Sequence, residues 1–292
     1  MPNQPDPQVL SPAALRDWPL PLPAGGGKQA RGTVVVIGGS RRTPGAVLLA
    51  GTAALRAGAG RLQMAGPESV ATALAIHVPE SLVVALPETA TGDVSREAVD
   101  VLGEWLDGAD SVLIGPGLRD AGESRALVAG VLSRVGAHTS VVLDAYGLRD
   151  LTPDMAAPVA GRLVLTPNVG EGAQLLGEGS DALEDLADAA ATVAGQFGAV
   201  VALHGNIAEA GGSRWVDESG HVGLGMSGSG DVLAGLVAGL LARGAAPAQA
   251  ACWATYLHST ADERLAARIG RLGFLARELL DEAPLVLAEL QA

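Results

Sequence analysis

Residues 33–40 read TVVVIGGS: five consecutive β-branched residues, then two glycines and a serine. An apolar run without polar alternation fits a strand buried on both faces, and parallel sheets covered by helices are built of such strands. The glycines end it, and apolar periodicity then predicts a helix from about Pro44 to Ala59. The same beat recurs downstream. RLQMA (61–65), LVVAL (82–86), SVLI (111–114), SVVLD (140–144), RLVLT (162–166) and AVVAL (199–203) read as strands. Helices are expected at about 95–106 and 123–135, and from about residue 229 the pattern is helical to the end. The fold class expected is α/β, a three-layer α/β/α domain with a mainly parallel central sheet. Ligands of such sheets sit at the carboxyl ends of the strands.

The chain has 292 residues, of which 48% are hydrophobic and 17% charged. Its mean hydropathy is +0.31. That excludes a disordered chain, and no apolar run approaches the roughly 18 residues of a spanning helix. Aromatic residues make up 3%, too few for a surface that stacks nucleic-acid bases. A net charge of −13 repels nucleic acid and anionic membranes at long range. Backbone amides can still hold an anionic metabolite. The single cysteine, Cys252, allows no internal disulfide. The N-terminus lacks the basic-then-apolar order of a signal peptide, so a cytoplasmic protein is expected. Seven of the 17 prolines precede residue 24, and Gly25, Gly26 and Gly27 follow. Residues 1–27 therefore read as an extended arm lying against one body, 28–292.

The strand ends carry GGS (38–40), GPG (115–117), DAYG (144–147), TPNVGE (166–171) and HGN (204–206). Downstream, GMSGSGD (225–231) opens a helix. Several familiar motifs fail. The only lysine, Lys28, precedes Gln29, so there is no Walker A loop. Gly223 to Gly228 spells GxGxxG, but no apolar strand leads into it. The five histidines (His77, His138, His204, His221, His258) show no metal-ligand spacing. The run Gly228-Ser229-Gly230-Asp231 exposes amides where a helix starts, which makes an anion hole. Asp231 fits either a capping carboxylate or a general base beside that hole.

GSGDVLAGLVAGLLARG (228–244) followed by AAPAQAACWATYLHSTA (245–261) resembles the C-terminal signature of the ribokinase-like superfamily. More narrowly, it is similar to the ADP/ATP-dependent NAD(P)H-hydrate dehydratases. Five further segments agree, in family order. They are VVVIGGSRRTPGAVLLAGTAALRAGAGRL (34–62), HVPESLV (77–83), SVLIGPGL (111–118), VVLDAYGL (141–148) and LVLTPNVGEGAQLL (163–176). The resemblance implies repair of NADH or NADPH hydrated at ring carbon C6. ADP or ATP phosphorylates the hydroxyl with Mg2+, and phosphate then leaves. Bacterial members typically use ADP, eukaryotic ones ATP. Homo-oligomers are usual, and the short N-terminal segment implies no fused epimerase domain.

Carried over by position, Asp231 matches the catalytic base, with Gly228 and Gly230 in the anion hole and Gly230 also touching the nucleotide. Ala46, Gly117, Asn168 and Asp231 match substrate-contacting positions. The loop His204, Gly205, Asn206, Ile207, Ala208 matches a nucleotide-phosphate loop, and Glu171 an acid near the magnesium. Four positions depart from the family. Asn168 replaces a usual His, His204 a usual Lys, Tyr146 a second acid, and Met226-Ser227 the pair Thr-Gly. Those departures also fit another ribokinase-like small-molecule kinase, or a non-catalytic nucleotide- or dinucleotide-binding descendant.

Overall fold

The computed structural model describes residues 6–22, 25, 27–179, 183–220 and 222–292. Ten strands form one sheet: β1 (Gln8–Val9), β2 (Thr33–Ile37), β3 (Arg61–Pro67), β4 (Ser81–Leu86), β5 (Ser111–Ile114), β6 (Ser140–Leu143), β7 (Leu163–Leu165), β8 (Val200–Leu203), β9 (Asn206–Glu209) and β10 (Arg214–Val216). Their order is β1-β10-β9-β8-β7-β6-β5-β2-β3-β4. All pairings are parallel except β8 with β9 and β9 with β10. Eleven helices are seen among the described residues. They are α1 (Pro12–Arg16), α2 (Pro44–Arg56), α3 (Glu68–His77), α4 (Ala98–Asp107), α5 (Ala121–Leu132), α6 (Pro153–Ala156), α7 (Val169–Leu176), α8 (Leu186–Phe197), α9 (Ser229–Ala242), α10 (Pro247–Ile269) and α11 (Ala276–Gln291).

The β-branched run does what its pattern requires. Val34 and Val36 join the core on one face with α2, α9, α10 and α11, while Val35 and Ile37 join the core on the other with α4, α5 and α8. Three layers result. The chain runs outward from β2 to β3 and β4, then crosses back to place β5 on the other flank of β2. A ligand crevice belongs at that reversal.

Short elements escaped the sequence pattern. Helix α3 fills the β3–β4 connection, and β1, β9 and β10 have two to four residues each, too few for a period to show. The N-terminal arm lies against the body. Its residues 1–5, 23, 24 and 26 lie outside the described residues, and so does His221. Of the rest, β1 is the sheet's edge strand beside β10, and Leu10, Leu15 and Leu20 sit in the same core as α9 and α10. Trp18 stacks on Trp215 with ring centroids 5.7 Å apart, and its carbonyl accepts the indole N–H of Trp253 at 3.0 Å. The described residues of the arm thus pack into the body's core.

Helix α9 decides where the site forms. It is buried along nearly its whole length, and it crosses α2 with backbones almost touching. A Cβ on Gly235 would lie 2.2 Å from the carbonyl oxygen of Ala50, and one on Gly239 2.4 Å from that of Ala54. No side chain fits there. No helix among the described residues is long and apolar enough to cross a membrane.

Candidate active site

The residue preceding α9 is Gly228, at φ +92°, where a Cβ would lie 2.7 Å from Leu49 Cδ1. Glycine is therefore required on two grounds, the left-handed backbone and the contact. Ser229 is buried, and His258 Nε2 lies 3.0 Å from both its hydroxyl and its carbonyl oxygen. Burial pushes the His258 imidazole down to about 4, so it holds the turn as a neutral group. Gly230 is exposed. The first amides of a helix lack intrahelical acceptors, so this turn presents donors and the positive end of the helix dipole together.

Asp231 stands in that first turn. Among the described residues no group hydrogen-bonds its carboxylate, and no side chain caps α9. The capping alternative thus loses its geometric basis. Burial raises the Asp231 carboxyl to about 6.

Sequence reading passed over Asp144. It directly follows β6, is 5% exposed, and accepts a hydrogen bond from the Thr166 hydroxyl at 2.9 Å. Burial first, then the charges of Asp231 and Glu171, raise its carboxyl to about 8. The signal was present in SVVLD, an acid ending a wholly apolar strand at the ligand edge. Two residues on, the ring of Tyr146 has the Arg149 guanidinium 5.5 Å from its centroid.

Asn168 and Glu171 form a capping box at the start of α7. The Asn168 side chain accepts the Glu171 amide, and Glu171 Oε2 accepts the Asn168 amide, each at 2.9 Å. Burial raises the Glu171 carboxyl from its ordinary range. Both residues thus hold a helix terminus whatever else they touch. Truncating Asn168 to Ala is expected to cost about 1 kcal/mol of stability, measured by denaturant unfolding. An unchanged midpoint would contradict the cap.

Ala46 and Gly117 meet at the reversal of strand order. The Thr43 hydroxyl donates to Gly117 O at 2.7 Å, and a Cβ on Gly117 would lie 2.9 Å from that of Ala46. The 204–208 segment is not one loop. His204 (φ +48°) and Gly205 (φ +83°) make a two-residue turn, and Asn206, Ile207 and Ala208 belong to β9. Ile207 and Ala208 are each 1% exposed. Their side chains face the two cores, because hairpin residues alternate between the faces of a sheet.

A cavity of about 1020 Å³ opens at the carboxyl ends of β7 and β8. That is ample for a nucleotide. Asn168, His204, Gly205 and Gly230 line it, whereas Ala46, Gly117, Glu171 and Asp231 do not. Gly230 faces the cavity while its neighbour Asp231 senses Asp144, so the α9 N-terminus joins cavity and carboxylates. Among the described residues no three His, Cys, Asp or Glu side chains close on one point as a ligand set.

A family described as NAD(P)H-hydrate dehydratase matches residues 34–285. The ADP-dependent (S)-NAD(P)H-hydrate dehydratase of Xanthomonas campestris is 44% identical over 97% of both chains. Against the bifunctional NAD(P)H-hydrate repair enzymes that it matches, the chain spans about half their length. The Bacillus subtilis ADP/ATP-dependent NAD(P)H-hydrate dehydratase, co-crystallized with ATP/Mg2+, superposes with a TM-score of 0.82 at 27% identity. That match covers 98% of this chain and 99% of that one. Ribokinase from Thermotoga maritima superposes with a TM-score of 0.54 at 16% identity over 86% of this chain and 99% of that one, which shows the shared fold alone. The helix that begins at the GSGD turn lies inside the matched span, and the chain belongs to the NAD(P)H-hydrate dehydratase family.

Proposed function

We propose that this chain dehydrates hydrated NADH or NADPH at the expense of ADP or ATP. The observation that carries the reading is Asp231, a half-buried carboxylate with no hydrogen bond among the described residues, at the mouth of a helix N-terminus. A base beside an anion hole suits phosphoryl transfer, where positioning and charge stabilisation do most of the work. Asp231 takes the proton of the C6 hydroxyl as that oxygen attacks the terminal phosphoryl group, whose bond to the bridging oxygen breaks, so that AMP leaves from ADP or ADP from ATP. The amides at Gly228 to Gly230 face the charge that develops on the phosphoryl oxygens. In the second step the C6–O bond breaks, phosphate leaves, and C5 loses a proton to restore the dihydronicotinamide. Ala46, Gly117 and Asn168 flank the hydrated ring, and the His204–Gly205 turn flanks the nucleotide phosphates.

The charges of Asp231 and Glu171 both reach Asp144, and a Mg2+ ion beside Glu171 would relieve that negative charge. Glu171 would hold it, and it would neutralise phosphate charge. We place the enzyme in the cytoplasm, where its cofactor substrate is used. Exposed Ile269, Leu272 and Leu275 support a homo-oligomer.

The test is recovery of dihydronicotinamide absorbance from hydrated NADPH on adding ADP or ATP with Mg2+. No recovery with either nucleotide would leave the binding-only reading in place. The pH profile follows from the two raised carboxyls. Asp231 acts as a base only when ionised, so kcat/KM is expected to rise with pH through about 6. Asp144 is neutral at pH 7, and its ionisation near 8 adds negative charge close to Asp231 and Glu171, so the rate falls there. Asp144→Asn stays neutral and should abolish that alkaline limb. A flat profile from pH 5 to 7 would remove Asp231 as the base.

A further inference from the structure

Asp217 follows β10 and folds back over the β8–β9 turn, its amide donating to Gly205 O at 2.8 Å. It is 7% exposed and lines the large cavity. Ser219 satisfies one carboxylate oxygen, Oδ1, with both its amide and its hydroxyl. The other, Oδ2, is buried and has no partner among the described residues. Helix α10 brings Thr255 to the same cavity, 5% exposed, with its hydroxyl oxygen equally buried and unpaired. Buried polar atoms are nearly always paired, and leaving a charged one unmade is costly. Two of them on one cavity point to a ligand.

The chemistry of the pair narrows that ligand. A carboxylate repels phosphate, so this part of the cavity takes hydrogen-bond donors. It nevertheless lies near the phosphate end. The charge of Asp217 reaches His258, and His258 touches Ser229 in the turn that opens α9. The part of a nucleotide that adjoins the phosphates and carries hydroxyl donors is its ribose.

We propose that Asp217 and Thr255 form a ribose subsite that selects ribonucleotides. Asp217 Oδ2 accepts from one hydroxyl of the sugar diol, and the Thr255 hydroxyl bonds the other. This assignment rests on the nucleotide-dependent reading above. It makes the sugar, rather than the base, the part of the nucleotide that the chain reads by charge.

Binding calorimetry tests it without turnover, using ATP, 2′,3′-dideoxy-ATP, ITP and inorganic tripolyphosphate. Wild-type protein is expected to prefer ATP over dideoxy-ATP by roughly tenfold to a hundredfold, the range for hydrogen bonds to a charged group. Asp217→Ala should bind the two alike while holding tripolyphosphate as wild type does. Thr255→Val, which keeps shape and leaves the Ser219 turn intact, should reduce the preference without affecting the fold. Equal wild-type affinity for ATP and dideoxy-ATP would overturn the ribose subsite and leave nucleotide dependence standing. Variants that lose discrimination between ATP and ITP, but not between ATP and dideoxy-ATP, would overturn it in favour of base recognition. If wild type binds ATP no better than tripolyphosphate, the nucleotide-dependent reading falls with it.

Discussion

Replacing Asp231 by Asn is expected to lower kcat by about 10²- to 10⁴-fold, the usual contribution of a general base. Asparagine keeps the size and the polar character of the side chain but cannot take the proton of the attacking hydroxyl. Stability is expected to stay within about 1 kcal/mol of wild type, because the lost charge–dipole attraction at a helix start is worth about 0.3–1 kcal/mol. Relief of a desolvated carboxylate offsets part of it, since burial is what raises the group. Kinetics on hydrated NADPH and a melting curve on the same preparation separate the two effects. A variant that melts normally and turns over at the wild-type rate would end the catalytic assignment.

Adding a single methyl group at Gly235 is the second large effect. In Gly235→Ala the new Cβ would lie 2.2 Å from Ala50 O, a backbone atom that cannot rotate away. Forced overpacking typically costs about 1–3 kcal/mol. For a chain of this size that corresponds to a fall of roughly 2–4 °C in Tm per kcal/mol. Activity should fall further than stability. Helix α9 must move off α2, and its N-terminus carries Gly228, Gly230 and Asp231. A misplacement of about 1 Å at a reacting group can cost about 10²-fold. Gly230→Ala is the contrast, because no atom lies within 4 Å of a Cβ built there. Equal melting points for Gly235→Ala and wild type would show that the helices are less tightly joined than their geometry states.

How much of this was legible in the sequence depends on length and on local chemistry. Strands such as TVVVI and SVLI announced themselves because both faces are buried, leaving no polar position to obscure the run. The β9–β10 segment did not. Asn206–Glu209 and Arg214–Val216 take their form from pairing with β8 and with each other, which no local pattern records. At the site, the GSGD turn was readable because a left-handed glycine and an anion hole need small residues in sequence. Asp144 was readable only as an acid ending an apolar strand, since its raised carboxyl comes from burial and from two carboxylates remote in sequence. The structural use of Asn168 was missed for another reason. Asn-x-x-Glu is a capping signature as much as a ligand signature, and only the observed pair of hydrogen bonds separates the two.

The stacked Trp18 and Trp215, with Trp253 bonded to the Trp18 carbonyl, gather three of the four tryptophans where the first residues meet the body. The fourth, Trp105, lies in α4 against the opposite core. Intrinsic emission is therefore divided into two reporters, one sensing the seam between the chain's beginning and its last helices, the other the far layer of the sandwich. With Trp105→Phe, the remaining fluorescence and the coupled indole signal in circular dichroism follow that seam alone. Detachment of the leading strand then becomes visible as an optical event separate from loss of the helical far-ultraviolet signal.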